Sequence, residues 1–236
     1  MIYRAKNYSH LIGVEGFSEK LLENHLSLYE GYIKNANRLL EHLERYLENG
    51  EMERPEFSEI KRRLSFELNG IKLHEYYFDN MVKSDTELDK QSKFYKKVTH
   101  EFGSYEKWRM SFFGVASMRG VGWAVVIYEP LSDLLMNTWV DQHHIGHVMG
   151  SAPILVLDLW EHAILLDYGS NRAAYVDAFF RVINWPVVVS RFEEASVTFR
   201  SESDLIHTRA KKENGNANEK TFTRSRNKRA ATIRAH

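Results

Sequence analysis

An aspartate and a histidine four residues apart, Asp158 and His162, are the first residues of this sequence that suggest a chemical role. Asp158 ends an apolar run typical of a strand, and His162 lies where helical periodicity resumes, so the two side chains can converge at the turn between them. A carboxylate and an imidazole without sulfur suit Fe, Mn or Zn. Because this spacing arises easily by chance in a chain with 11 histidines, the pair alone is a weak indication.

Two further histidines lie on the apolar faces of predicted helices. His25 projects from the same side of its helix as Leu21 and Leu28, and His74 projects from the same side as Phe78. A single histidine in such a position is more often an ordinary core residue than a ligand. Two of them on helices suited to pack together make a shared metal site a better explanation.

The elements that would position these residues follow from the apolar pattern. Helical spacing over residues 18–46 and again over 56–81, with a polar connection between them, predicts an antiparallel helical hairpin. Residues 85–118 indicate shorter helices, one of which begins after Ser104, a suitable N-cap.

Beyond Gly120 the pattern changes to strands. The β-branched and aromatic runs 122–130 and 134–142 predict a strand pair, and the apolar run 153–157 predicts a further strand before Asp158. The fold class we expect is α+β, an N-terminal α-helical hairpin followed by a C-terminal α/β region with a small antiparallel sheet.

Composition limits the chemistry and the setting. The 236 residues include no cysteine, which excludes disulfides, thiolate zinc sites and thiol catalysis. The sequence shows neither a secretory signal pattern nor a membrane span, so we expect a soluble cytoplasmic protein with no membrane association. Residues 209–236 carry nine Lys or Arg against Glu213 and Glu219 only, and this segment is poor in apolar residues, which predicts disorder.

Several stretches, taken together, resemble the iron/manganese superoxide dismutase family. The resemblance covers roughly residues 5–195. The stretches are 158–163 (DLWEHA), Asp167 with Tyr168, Arg172, 175–178 (YVDA), Asn184 with Trp185, 24–29 (NHLSLY), 73–78 (LHEYYF), 102–104 (FGS) and 120–123 (GVGW).

The resemblance implies a metal centre and a reaction. It makes His25, His74, Asp158 and His162 the ligands of one Fe or Mn ion, with iron slightly favoured, and it implies an antioxidant oxidoreductase that converts superoxide to O₂ and H₂O₂. It further implies a homodimer or higher homo-oligomer, in which Glu161 contacts the ligand histidine of the partner subunit.

The resemblance also assigns residues around the metal. Trp123 and Trp160 correspond to the family's aromatic wall. Tyr32 is the better match to the gateway tyrosine, although it lies one residue closer to His25 than in common members, and Tyr29 is the alternative.

The contact to metal-bound solvent comes from a different place than in many iron enzymes. The position that often supplies a glutamine is Gly70 here, so the resemblance points to His143, with Gln142 as the alternative. The neighbouring His144 and His147 could suggest a second metal site, an interpretation we do not favour.

One interface feature departs from the family. A histidine and a tyrosine that pair across the dimer in many members are replaced by Tyr29 and Leu165. We therefore expect this polar link to be rebuilt or absent.

The expected domains are residues 1–84 (helical hairpin), 85–198 (α/β domain) and 199–236 (basic, disordered tail). Two alternative functions are a non-haem iron oxygenase and a helical binding module whose tail binds nucleic acid. Four protein ligands leave too few open positions for an oxygenase. We favour a solvated appendage over nucleic-acid binding because Phe222 is the only aromatic residue in the tail.

Overall fold

The computed structural model describes residues 2–197, so the predicted tail 199–236 lies outside the described residues. Within that range, two long helices are followed by two shorter helices, a three-stranded sheet and further helices. The bounds are α1 (Glu19–Asn49), α2 (Pro55–Asp79), α3 (Lys93–Phe102), α4 (Tyr105–Ala116), β1 (Gly122–Glu129), β2 (Leu134–Asp141), β3 (Ala152–Asp158), α5 (Glu161–Tyr168) and α6 (Arg172–Arg181), and residues 185–197 are helical as well. The predicted α+β fold class is confirmed.

Helices α1 and α2 form the predicted hairpin, and local signals set where they begin and end. The Ser18 hydroxyl accepts the backbone N–H of Leu21 at 3.1 Å, which caps the start of α1. Gly50 ends α1 with φ at +69°, a left-handed conformation that glycine adopts without strain. Pro55 opens α2, where a missing N–H costs no helical hydrogen bond.

The sheet has β1 in the centre, paired antiparallel with β2 on one side and with β3 on the other. Nearly all of β1 is buried, as its continuous apolar sequence requires. The register places Trp123 opposite Val140 on β2 and opposite Asp158 on β3. The sheet therefore brings the end of β3 beside a buried tryptophan.

The helical hairpin and the sheet share one hydrophobic core. Helix α2 packs on β3, and α1 packs on α5. Just after α2, the Asn80 side-chain oxygen accepts the N–H of Val156 at 3.0 Å, which ties the hairpin to β3. This packing brings the histidine-bearing faces of α1 and α2 to the end of β3. The domain boundary at residues 84 and 85 stays a prediction.

None of the described helices combines the length and apolar character that crossing a membrane requires.

Candidate metal centre

Four side chains from four elements converge on a common centre. The Oδ2 atom of Asp158 lies 3.1 Å from Nε2 of His25, 3.1 Å from Nε2 of His162 and 3.6 Å from Nε2 of His74. One potential ligand atom from each residue lies within 4.8 Å of the others. Among residues 2–197 no other group of three or more His, Asp or Glu side chains has this geometry.

The protonation of these groups fits a cation. Nδ1 of His74 donates to the carbonyl of Gly70 at 2.6 Å, so Nε2 carries the lone pair, and that buried atom has no hydrogen-bond partner among the described residues. Burial lowers the pKa of both His25 and His74, which keeps them neutral. Burial alone would raise the pKa of Asp158, but His162 and His25 outweigh it and hold that pKa well below its usual range. One carboxylate and three imidazoles therefore offer a ligand set for Fe or Mn.

The C-terminal pair is positioned locally. Asp158 ends β3, and its Oδ1 accepts the N–H of Trp160 at 2.8 Å, which leaves Oδ2 to face the centre. His162 follows in the first turn of α5, four residues after Asp158. Its side chain is 20% exposed, whereas those of His25, His74 and Asp158 are completely buried.

The N-terminal pair is positioned by helix packing. Helix α1 is uninterrupted from Glu19 to Asn49, so Tyr32, seven positions after His25, lies about two regular turns further on and both side chains leave the same face. The rings of His25 and His74 lie 5.1 Å apart across the two helices. The short spacing noted in the sequence is thus accommodated by a regular helix.

His143 lies between a tryptophan and a tyrosine at the edge of the centre. Trp123 Nε1 donates to Nδ1 of His143 at 3.0 Å, and Nε2 of His143 lies 2.7 Å from the hydroxyl of Tyr32. Burial lowers the pKa of His143 to about 4, so the ring is neutral. Since indole N–H can only donate, Nδ1 of His143 accepts and Nε2–H donates to the Tyr32 oxygen. Gln142 is exposed and does not join these contacts.

The two candidate tyrosines on α1 have different surroundings. The Tyr32 ring lies 5.1 Å from that of His74 and contacts His143. Tyr29 instead donates to Glu75 at 3.1 Å and accepts the N–H of Lys6 at 3.1 Å. Tyr29, which replaces a family histidine, thus bonds within its own chain.

Aromatic rings surround the four candidate ligands. Trp160 stacks on His143 at 4.6 Å, and Trp123 lies 5.0 Å from His74. Phe66, which the sequence analysis missed, lies 4.4 Å from the ring of His143. Helical spacing could have identified it, because Phe66 precedes His74 by eight residues on the same helix and so lies on a neighbouring part of the helix face.

The remaining candidates are not part of the group of four converging side chains. Glu161 is exposed at the start of α5, and Leu165 is exposed on the same helix. His147 donates from Nε2 to the carbonyl of His143 at 2.9 Å. His144 and His147 form no second metal-binding group within residues 2–197.

Known proteins are similar in sequence to this chain over most of its length. The family described as iron/manganese superoxide dismutases, C-terminal domain, matches residues 90–191. An iron superoxide dismutase of Pyrobaculum aerophilum is 36% identical over 174 residues, which cover 73% of this chain and 82% of that protein. A manganese superoxide dismutase of Haloferax volcanii is 34% identical over 183 residues, which cover 77% of this chain and 90% of that protein. By this similarity the chain belongs to the iron/manganese superoxide dismutase family.

Proposed function

We propose that this chain is a superoxide dismutase that holds one Fe or Mn ion between His25, His74, Asp158 and His162. The observation that carries the proposal is the approach of three imidazole Nε2 atoms to a single carboxylate oxygen, at 3.1, 3.1 and 3.6 Å. Relatives named as iron and as manganese superoxide dismutases cover most of the chain. The protein is accordingly an oxidoreductase whose substrate is superoxide.

When bound, the metal supplies one-electron redox chemistry, which oxidises one superoxide to O₂ and reduces the next to H₂O₂. The protein holds the ligands for it in fixed orientations. The Gly70 carbonyl fixes the tautomer of His74, and the backbone N–H of Trp160 holds one oxygen of Asp158. Buried rings on either side of these ligands, Tyr77 and Phe78 among them, exclude water from the interior face.

Tyr32 and His143 are suited to hold a proton for the reduction of superoxide. Because His143 donates to the Tyr32 oxygen, the hydrogen of the Tyr32 hydroxyl is free to point at a reacting oxygen. Burial raises the pKa of Tyr32, so this hydrogen is present at neutral pH. Trp123 keeps His143 in the donating tautomer through its bond to Nδ1. Trp160 stacks on His143 and limits its rotation.

The choice between iron and manganese stays a prediction. Relatives of both kinds have about the same similarity to this chain, at 36% and 34% identity. The slight preference for iron comes from the sequence resemblance.

We infer a homodimer or higher homo-oligomer with α5 at the interface. Glu161, in the first turn of α5, would accept a hydrogen bond from His162 of the partner subunit. The exposed apolar residues Leu165 and Leu166 on α5 support this placement, because burying them would favour association. The cytoplasmic location stays a prediction.

Metal analysis with activity assays tests the proposed function. We expect natively expressed protein to contain about one Fe or Mn per chain. Metal-free protein should lack dismutase activity and regain it after loading with one of the two metals, and separate loading decides which metal works. Protein that stays fully active after complete metal removal would contradict the proposal. No feature of the described residues favours an oxygenase or a binding module.

A further inference from the structure

One side of the candidate metal centre faces solvent and the other is closed. The closed side consists of fully buried rings: Tyr77, Phe78 and Trp123. The other side consists of half-buried rings: Tyr32, Phe66, His144 and Trp160. Phe66 lies 5.5 Å from His144 and 6.4 Å from Trp160, so these rings form one continuous lining. A small anion from solvent would reach the metal ligands along this half-buried side, which therefore forms a path with its mouth at the protein surface and its inner end at the ligands.

Arg63 lies on the solvent face of this lining. Its guanidinium carbon is 4.0 Å above the ring of Phe66, whose ring in turn lies 4.4 Å from that of His143. The Arg63 side chain is 55% exposed. The side chains are therefore layered from the ligand His74 towards solvent. Tyr32 and His143 form the first layer, the ring of Phe66 forms the second, and the guanidinium of Arg63 lies outermost.

Arg63 is held by a buried carboxylate. Its Nε donates to Oε1 of Glu67 at 2.7 Å, one helical turn further along α2. The Glu67 side chain is only 2% exposed, and its second oxygen has no hydrogen-bond partner among the described residues. A buried carboxylate with one free oxygen is costly to maintain, which argues against an incidental surface pair.

Both charges act on the residues that face the metal ligands. Burial, followed by the charges of Asp158 and Glu67, raises the pKa of Tyr32, whereas Arg63 lowers it. Burial is the main cause of the lowered pKa of His143, to which Arg63 also contributes. The fields of Arg63 and Glu67 thus oppose each other at the inner end of the path.

We propose that Arg63 and Glu67 set the charge at the mouth of this path and so determine how strongly the site attracts anions. This inference rests on the proposed function for the identity of the anion, superoxide. Arg63 supplies the attraction, and Glu67 both positions the guanidinium and cancels part of its charge. Neither residue touches the reacting atoms, so both are positioning and specificity residues.

The proposal predicts opposite effects for the two members of one ion pair. Glu67→Gln keeps an oxygen for Arg63 but leaves the mouth one charge more positive, so anions should bind more tightly. Arg63→Gln leaves Glu67 unopposed, so anions should bind more weakly. Each substitution should change the anion affinity by about two- to tenfold at low salt. The double variant should have an affinity close to that of the wild type. Loss of packing alone would not shift the anion affinity in opposite directions in the two variants.

Azide binding to full-length, iron-loaded protein provides the test, because it requires no turnover. Azide affinity is measured by optical titration at low salt and at about 0.15 M salt, where the Debye length is about 8 Å. The same variants are assayed for kcat/KM with superoxide. We expect the opposed shifts in both measurements, diminished at the higher salt.

Helix α2 offers a matched control pair. Arg62 and Glu59 form an ion pair at 3.4 Å with side chains that are 75% and 69% exposed. Arg62→Gln and Glu59→Gln make the same charge changes and should leave azide affinity within about twofold of wild type. Shifts of the same sign in Arg63→Gln and Glu67→Gln, or shifts no larger than those of the controls, would overturn the proposal. If Arg63→Gln does not fold, Glu67→Gln alone decides by the direction of its shift. Wild-type protein that binds azide but lacks dismutase activity would count against the proposed function instead.

Discussion

The two halves of the candidate metal centre are built in different ways. Asp158 and His162 lie four residues apart at one strand-to-helix junction, where the register of β3 and the first turn of α5 place them. His25 and His74 lie on different helices and meet only because α1 packs on α2 and α2 packs on β3. Local structure therefore places the C-terminal pair, whereas the N-terminal pair depends on packing across the whole core.

The largest expected effect comes from removing one ligand in each half. Both His74→Ala and His162→Ala should weaken metal binding by at least about a hundredfold, because each removes a proposed ligand. In metal-free protein the two should differ. His74→Ala opens a cavity in the buried core and should lower the free energy of unfolding by about 2–4 kcal/mol, whereas His162→Ala, at a partly exposed position, should cost less than about 1 kcal/mol.

Elemental analysis and urea unfolding of the metal-free variants check this comparison. Full metal occupancy in His74→Ala would contradict the ligand set. Equal unfolding free energies would show that the two halves do not differ as described.

Two glycine substitutions test the packing of α1 on α2. A Cβ at Gly70 would lie 2.8 Å from Cδ1 of Tyr32, so Gly70→Ala must displace this ring and with it the bond to His143. We expect the free energy of unfolding to fall by about 1–2 kcal/mol and dismutase activity to fall as well. A Cβ at Gly31, on α1, meets nothing within 4 Å, so Gly31→Ala should stabilise the protein by about 0.5–1 kcal/mol.

Thermal unfolding and activity are measured for both glycine variants. Gly70→Ala with wild-type activity would show that the position of Tyr32 does not depend on this close packing.

A third comparison separates the two tyrosines of α1. Tyr32→Phe removes the hydroxyl next to His143 and should reduce dismutase activity about tenfold or more with little change in stability. Tyr29→Phe removes the bonds to Glu75 and Lys6 and should cost about 1–2 kcal/mol with activity retained. The reverse pattern of activity and stability would make Tyr29 the gateway residue.

A final comparison concerns the pH dependence of the unfolding free energy, which should differ between the two halves. Burial lowers the pKa of His25 and His74, so both stay neutral in the folded metal-free protein, whereas unfolded histidine binds a proton near pH 6.5. Below about pH 6.5 the unfolded state therefore binds more protons, and the unfolding free energy should fall by up to about 1.4 kcal/mol per pH unit for each histidine. The lowered pKa of Asp158 stabilises the fold above about pH 3.8, and this contribution is lost only at still lower pH.

Urea unfolding of metal-free protein between pH 7.5 and 4.5 measures this slope. His25→Gln should reduce it by about a third, because His143, whose pKa burial lowers to about 4, takes up a proton on unfolding as His25 and His74 do. A slope that the substitution leaves unchanged would assign the proton uptake to other groups.

Many elements of the fold were predictable from local patterns. Ser104 caps α4 as expected, since its hydroxyl accepts the N–H of Lys107 at 3.1 Å. The predicted strand pair corresponds to β1 and β2, and the run before Asp158 is β3. The order of the strands was not predicted, because sequence periodicity reports burial and does not report which strand is the neighbour.

The environment of the candidate site was less predictable. Phe66 and Glu67 read as ordinary residues of an amphipathic helix, and their relation to Tyr32 and His143 depends on how α2 packs against two other elements. The choice between His143 and Gln142 could not be made from adjacent positions. In the structure the turn after β2 separates them, because Gln142 has φ at +52° and is exposed while His143 is buried. Which of the two contacts metal-bound solvent stays a prediction.

The sequence by itself determined most of the helices and the strands, because these depend on the spacing of apolar side chains, and it indicated the family through its matching stretches. The helix over residues 185–197 was not predicted. The sequence also supplied the four proposed ligands, two of them four residues apart at a strand-to-helix junction. Only the tertiary structure decided that His25 and His74 approach Asp158, that Tyr32 contacts His143, and that Arg63 lies over Phe66. Such contacts join residues distant along the chain, and packing of the shared core fixes their distances.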